Sequence, residues 1–230
     1  MIGIIGAMAV EVDGLIEAME EKTPETISRM TFWRGTLGGT PCVVAQCGAG
    51  KVNSAVCAQT MILRFGAEIV INTGVAGGVG SRDVQIGDLV VASAVVQHDY
   101  DTSPIDGDKG RDLPLLGVSA IETDDRVSSL LAACAEEVCG GVRRGVIATG
   151  DQFISGRDRL HEIAARTGAI ACEMEGGSIG QACALAGVPF AVLRAISDNA
   201  DDNAVVDFPK FAAESARKSI ALLLKALPRL

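Results

Sequence analysis

Two short segments end apolar runs with side chains that can do chemistry: Ala171-Cys172-Glu173-Met174-Glu175 and Leu193-Arg194-Ala195-Ile196-Ser197-Asp198. Each run reads as a buried strand, and carboxylates are costly to bury unless something there uses them. In open α/β sheets, ligands bind in the crevice outside the carboxyl ends of the strands. An acidic pair at one strand end, and an acid with an arginine at the other, suit a site that handles developing positive charge. Two more segments end alike: Gly6-Ala7-Met8, leading to Glu11, and the glycine-rich stretch 73–78. If a parallel sheet brings these exits to one edge, the crevice holds Glu11, Glu175, Asp198 and Arg194. Glycine backbone then leaves room for a compact ligand.

Several carboxylates around one small site fit two chemistries. One is an oxygen-ligand Mg²⁺ site. The other is cleavage of a glycosidic bond through an oxocarbenium-like transition state, with one acid and one base. No recognisable phosphate site accompanies the acids, so bond cleavage at a sugar is the better fit.

Other motifs fail on their spacing. Gly176-Gly177-Ser178-Ile179-Gly180 matches G-x-S-x-G, but a nucleophile elbow needs a later histidine, and both His98 and His161 precede Ser178. Gly48-Ala49-Gly50-Lys51 lacks the upstream glycine of a phosphate loop, and Val52 stands where Mg²⁺ needs Ser or Thr. It survives as a glycine turn at a helix N-terminus, as does the stretch Gly74-Val75-Ala76-Gly77-Gly78-Val79-Gly80.

The elements that must position these groups alternate along the chain. Strand-like runs cover 2–5, 32–37, 41–46, 69–73, 88–97, 145–148, 169–173 and 190–196. Helical periodicity covers 10–21, 51–65, 124–138, 157–166, 175–186 and 209–226. Alternating strands and helices imply crossover connections and a largely parallel sheet. Gly38-Gly39-Thr40 between two strands predicts a hairpin, so the sheet is mixed. The irregular stretch 99–119 reads as a lid or contact surface. No linker or repeat divides the 230 residues, which predicts one domain spanning 1–230.

Composition excludes several classes. Hydrophobic residues make up 48% of the chain and aromatics only 3%, so Ala, Val, Ile and Leu must build the core. No apolar run has the length of a membrane span, and the first residues lack the basic flank of a signal peptide. A net charge of −9 argues against nucleic acid or anionic membrane as partner. Seven cysteines without a C-x-x-C pair or metal-like spacing read as small hydrophobes in a reducing, cytoplasmic compartment.

The ordered motifs Gly3-Ile4-Ile5-Gly6-Ala7-Met8 with Glu11, Asn72-Thr73-Gly74-Val75-Ala76-Gly77-Gly78, Gly150-Asp151-Gln152-Phe153-Ile154, Glu173-Met174-Glu175 and Arg194-Ala195-Ile196-Ser197-Asp198 closely resemble the bacterial 5'-methylthioadenosine/S-adenosylhomocysteine nucleosidases. These belong to the purine nucleoside phosphorylase superfamily. The resemblance covers essentially the whole chain. It implies a three-layer α/β/α sandwich around a mixed, mostly parallel twisted sheet. It also implies a homodimer that needs no cofactor or metal and hydrolyses the N-glycosidic bond to adenine.

Carried over, Asp198 is the acid that protonates adenine N7, oriented by Ser197, and Glu11 is the base that activates water, with Arg194 helping to place it. Glu175 accepts from the ribose hydroxyls and Met174 packs on the sugar. Phe153 stacks on the purine, the Ile154 backbone reads its edge, and Phe208 closes over it from the loop after Asp198. Met8, Val75, Ala76, Gly77 and Glu173 complete the substrate-binding set, although Glu173 has no assigned role. Ile105 stands where an aromatic of the partner subunit's loop lines the 5' pocket.

Five positions depart from the family pattern: Ala9-Val10 replace glutamates, Val75 replaces a common serine, Ala49 a larger aliphatic, and Ile105 that aromatic. The last two imply an altered, roomier 5' pocket. Candidate substrates are therefore 5'-methylthioadenosine, S-adenosylhomocysteine, 5'-deoxyadenosine and aminodeoxyfutalosine. Two rivals remain at this stage: a purine nucleoside phosphorylase, which would need a phosphate site, and a non-catalytic nucleoside-binding module, which would need neither Glu11 nor Asp198.

Overall fold

The computed structural model describes residues 1–79, 84–199 and 204–230, with Phe208 the one described side chain between 204 and 210. Gly80, the last residue of the second glycine stretch, lies outside them. Strand β1 (Ile2–Gly6) runs parallel to β4 (Thr40–Gln46) on one side and to β5 (Ile69–Gly78) on the other. Its side chains alternate between faces: Ile4 packs with the apolar residues of one face, Ile5 with those of the other. Near-continuous apolar strands are what a sheet covered on both faces requires.

Helices α1 (Ala9–Ala18), α4 (Asp125–Cys139) and α7 (Ala204–Ala226) cover one face, where Val12, Leu15, Leu131 and Leu222 meet. Helices α2 (Lys51–Phe65) and α6 (Gly176–Ala186) cover the other through Cys57, Met61, Ile179 and Cys183. Helix α5 (Arg157–Thr167) buries Leu160 and Ile163 in a third, smaller cluster beneath β8 (Arg143–Thr149). This is the expected three-layer α/β/α sandwich.

The sheet is mixed. Strand β10 (Phe190–Asp198) pairs parallel with β5 and antiparallel with β6 (Leu89–Gln97). The path continues from β6 through β8 and the short β9 (Ala171–Glu173) back to β5, so this half of the sheet closes on itself. Closure draws the ends of β5, β9 and β10 into one corner: Gly77 of β5 pairs with Cys172 on one side and Asp198 on the other.

Several boundaries differ from the sequence expectation. The first helix stops at Ala18, and Glu20–Ile27 forms β2, an edge strand antiparallel to β3 (Met30–Leu37). Its mostly exposed Glu, Lys, Thr and Pro residues give no apolar alternation to read, and such residues guard sheet edges. The predicted hairpin is β3–β4. Within 99–119 a short helix α3 (Ser103–Asp106) forms, and β7 (Ala120–Glu122) follows it to pair with β6. The last helix starts at Ala204, ahead of the expected 209. Among the described residues no helix is long and apolar enough to cross a membrane.

Candidate active site

A cleft of about 210 Å³ opens where β1, β5, β9 and β10 end. Its polar wall contains Glu11, Glu173, Glu175, Ser197 and Asp198, and its apolar wall includes Met8, Ala49, Val75, Met174 and Phe208. Ala76 and Gly77 form part of its floor. A smaller adjoining cavity adds Gln152 and Ile154 and shares Gly77, Phe153, Cys172 and Asp198 with the cleft. No lysine, arginine or histidine is among the described residues that line it.

Glu11 lies in the first turn of α1 and is buried. Its Oε2 accepts the backbone N–H groups of Ala7 at 2.7 Å and Met8 at 2.8 Å, and its Oε1 accepts that of Val75 at 2.9 Å. A carboxylate offers about four acceptor positions, so one on Oε1 is left for a ligand. Burial pushes the Glu11 pKa up against the opposing pull of Arg194 and the three backbone donors. A fixed carboxylate with raised proton affinity and one open acceptor position has the makings of a general base. Gly74 permits this approach: a Cβ there would lie 2.5 Å from Glu11 Oε1.

Arg194 is almost fully buried behind this wall and is not among the described residues that line the cleft, so the help it was expected to give in placing the water would act through the carboxylates it faces. Its Nη2 donates to Glu173 Oε2 and to Asn72 Oδ1, and lies 3.7 Å from Glu175 Oε2. Glu173, which the sequence left without a role, is the hub of this arrangement. Besides Arg194, its carboxylate accepts from Thr149 Oγ1 and from the backbone N–H groups of Glu175 at 3.0 Å and Gly176 at 2.7 Å. Those bonds tie β8, β9 and the start of α6 together at the cleft wall. The β8–β9 pairing that sets Thr149 beside Glu173 is a tertiary feature with no local sequence signal.

Glu175 caps the N-terminus of α6, and its Oε1 accepts the Gly50 N–H at 2.9 Å. Burial and the neighbouring Glu173 push its pKa up to about 7. The glycine turn at 48–50 therefore serves Glu175, and Gly50 can serve it because its φ of 101° is open to glycine. Ser178 hydrogen-bonds Ser54 Oγ at 2.7 Å and the Glu175 carbonyl at 2.8 Å, which joins α6 to α2.

Asp198 ends β10 beside a bulge between Ile196 and Asp198. In a regular strand Ser197 and Asp198 would face opposite ways. Here both line the cleft, and Ser197 Oγ donates to Asp198 Oδ2 at 2.9 Å. Cys172, on the opposite side of Gly77, is held as a neutral thiol by burial, its pKa pushed up to about 12.

Phe153, on the loop after β8, is 48% exposed and meets Phe208 edge to face, with ring centroids 5.6 Å apart. Phe208 projects from α7, where a loop position was expected. Ile105, on α3, is 88% exposed and away from this cleft.

A model of the phosphorylase superfamily matches residues 1–228. The 5'-methylthioadenosine/S-adenosylhomocysteine nucleosidase of Haemophilus influenzae is 36% identical over 230 residues, covering 100% of this chain and 99% of its own. The aminodeoxyfutalosine nucleosidase of Helicobacter pylori is 38% identical over 225 residues, covering 96% of each chain. The crystal structure of the Neisseria meningitidis 5'-methylthioadenosine/S-adenosylhomocysteine nucleosidase in complex with methylthio-immucillin-A superposes with a TM-score of 0.94. It is 32% identical and covers 100% of this chain and 99% of that one.

Proposed function

The chain belongs to the phosphorylase superfamily, and from that premise we propose that it is an N-glycosyl hydrolase releasing adenine from 5'-substituted adenosines. One observation carries the reading: Glu11, Glu175 and Asp198 line a single cleft whose aromatic mouth is Phe153 and Phe208. The full-length likeness to nucleosidases of both substrate classes supports it.

The positions support a role for each residue. Phe153 and Phe208 hold the purine, with the Ile154 backbone at its edge. Asp198, oriented by Ser197, donates a proton to N7, and the electron pair of the breaking C1'–N9 bond goes to a base that leaves neutral. Glu175 accepts from the ribose hydroxyls. Glu11 takes the proton of the water whose oxygen bonds to C1'. The acids outnumber Arg194, so the corner favours the positive charge that develops on the sugar. Met8, Val75 and Ala49 border the space left for the 5' substituent.

Water is the favoured nucleophile over phosphate. A phosphate pocket needs cations or helix N-termini aimed at the anion, and the described cleft wall offers carboxylates. We further propose a cytoplasmic homodimer in which Ile105 of one subunit borders the 5' pocket of the other. Val52 (74% exposed), Leu63 (76%), Ile105 (88%) and Leu115 (92%) support this as apolar groups suited to a covering surface. The unpaired thiols suit a reducing compartment.

The deciding measurement is adenine release from a panel of 5'-substituted adenosines in phosphate-free buffer. The reading expects full activity without phosphate. Strict phosphate dependence would make the protein a phosphorylase, and binding without release would make it a binding module.

A further inference from the structure

We propose that Lys51, Asp99 and Asp151 form a positioning ring that keeps the ribose-holding and purine-holding sides of the cleft in register, an inference that rests on the function proposed above. The ring joins three segments. Lys51 Nζ donates to Asp99 Oδ1 at 2.7 Å and to Gln97 Oε1 at 3.3 Å. The Asp151 N–H donates to Asp99 Oδ2 at 2.9 Å, and the Lys51 N–H donates to Asp151 Oδ1 at 2.8 Å, which closes the circuit.

Both ends of the ring reach the site. Gly50, next to Lys51, holds Glu175 Oε1 at 2.9 Å. Asp151 opens the loop that carries Phe153 and Ile154. Gly50 must also pass close to Asp151, since a Cβ there would lie 3.0 Å from Asp151 Oδ1. None of the three ring residues lines the cleft. The Lys51 and Asp99 side chains are each 20% exposed, and pairs with access to solvent add little to stability. What the ring supplies is geometry. Its backbone donors point into fixed carboxylates, and the turn bearing Gly50 cannot shift relative to the Phe153 loop while the circuit is closed.

The test compares Lys51→Met, Asp99→Ala, Lys51→Arg and Asp99→Asn with the wild type by steady-state kinetics, thermal unfolding and calorimetric binding of 5'-methylthioadenosine. Lys51→Met and Asp99→Ala are expected to raise KM and Kd about tenfold, with kcat within about threefold and an unchanged Tm. Asp99→Asn keeps an acceptor for the Asp151 N–H and Lys51→Arg keeps the cation, so both should recover much of the loss. KM and Kd within about twofold of wild type in both truncations would overturn the proposal, as would a fall in kcat and Tm with KM unchanged. Wild-type protein that binds the nucleoside but releases no adenine removes the hydrolase reading, and the Kd comparison then decides the ring by itself. Wild-type protein that does not bind it overturns both.

Discussion

The carboxylate of Glu11 accepts the backbone N–H of Val75 at 2.9 Å, joining the first turn of α1 to the middle of β5. The bond aims the proposed base at the cleft and consumes one of its acceptor positions. Glu11→Gln keeps the shape but sets an amide NH2 against backbone donors and abolishes the proton acceptor. Adenine release should fall by ~10²–10⁴-fold, with nucleoside binding weakened much less. Retention of near wild-type turnover would remove Glu11 from the mechanism.

Asp198→Asn should behave in parallel. The amide cannot give a proton to N7, while Ser197 Oγ can still donate to its carbonyl oxygen. Binding measured by calorimetry should persist and turnover should drop by a factor of ~10²–10⁴. A substrate whose leaving group needs no protonation should lose far less.

Arg194 is the cation that compensates the buried acids. Arg194→Met leaves Glu173 and Glu175 buried without it, and breaking such a pair costs about 3–5 kcal/mol. Urea unfolding near pH 7 should show that loss. An unchanged midpoint would mean that the acids accommodate the change by taking up protons.

Glu175 makes the free protein sensitive to pH. Its folded-state value of about 7 lies above the ordinary 4.5, because burial and Glu173 penalise the charge. Its contribution to stability is therefore fully present below about pH 4.5 and is lost as pH rises through about 7. Glu11, also raised by burial, acts in the same direction. Glu175→Gln should flatten that part of the Tm-against-pH curve. Ribose hydroxyls donating to the carboxylate favour its ionised form, so nucleoside binding near neutral pH should release protons. Calorimetry in buffers of different ionisation enthalpy reads the sign, and proton uptake would contradict the assignment.

Phe153 is half exposed, so Phe153→Ala should barely alter the melting temperature. Base–aromatic stacking is worth about 1–3 kcal/mol, which corresponds to a rise in KM of roughly five- to 150-fold. Loss confined to kcat would mean that the ring does not hold the purine.

The alternating apolar runs, the β3–β4 hairpin and the acids at strand ends were legible in the chain because they are local patterns: side-chain period, turn glycines, and carboxylates where apolar runs stop. The β2 strand was not, since an edge exposed on both faces has no apolar period to detect. The position of Phe208 on a helix was missed because the residues before 209 lack a clear helical stripe.

The sequence by itself therefore determined the layers, the order of the elements and which carboxylates were available. Only the tertiary structure decided how they divide the work. Glu173 and Glu175 are two residues apart and both line the cleft, yet Glu173 is tied to Arg194 and Thr149 while Glu175 is held by Gly50. Every one of those partners comes from a distant segment, brought close by strand pairing and by the closure of β5 with β10. Hydrogen-bond partners at that range leave no periodic trace in a single chain, because the register between strands is set by packing across the whole core.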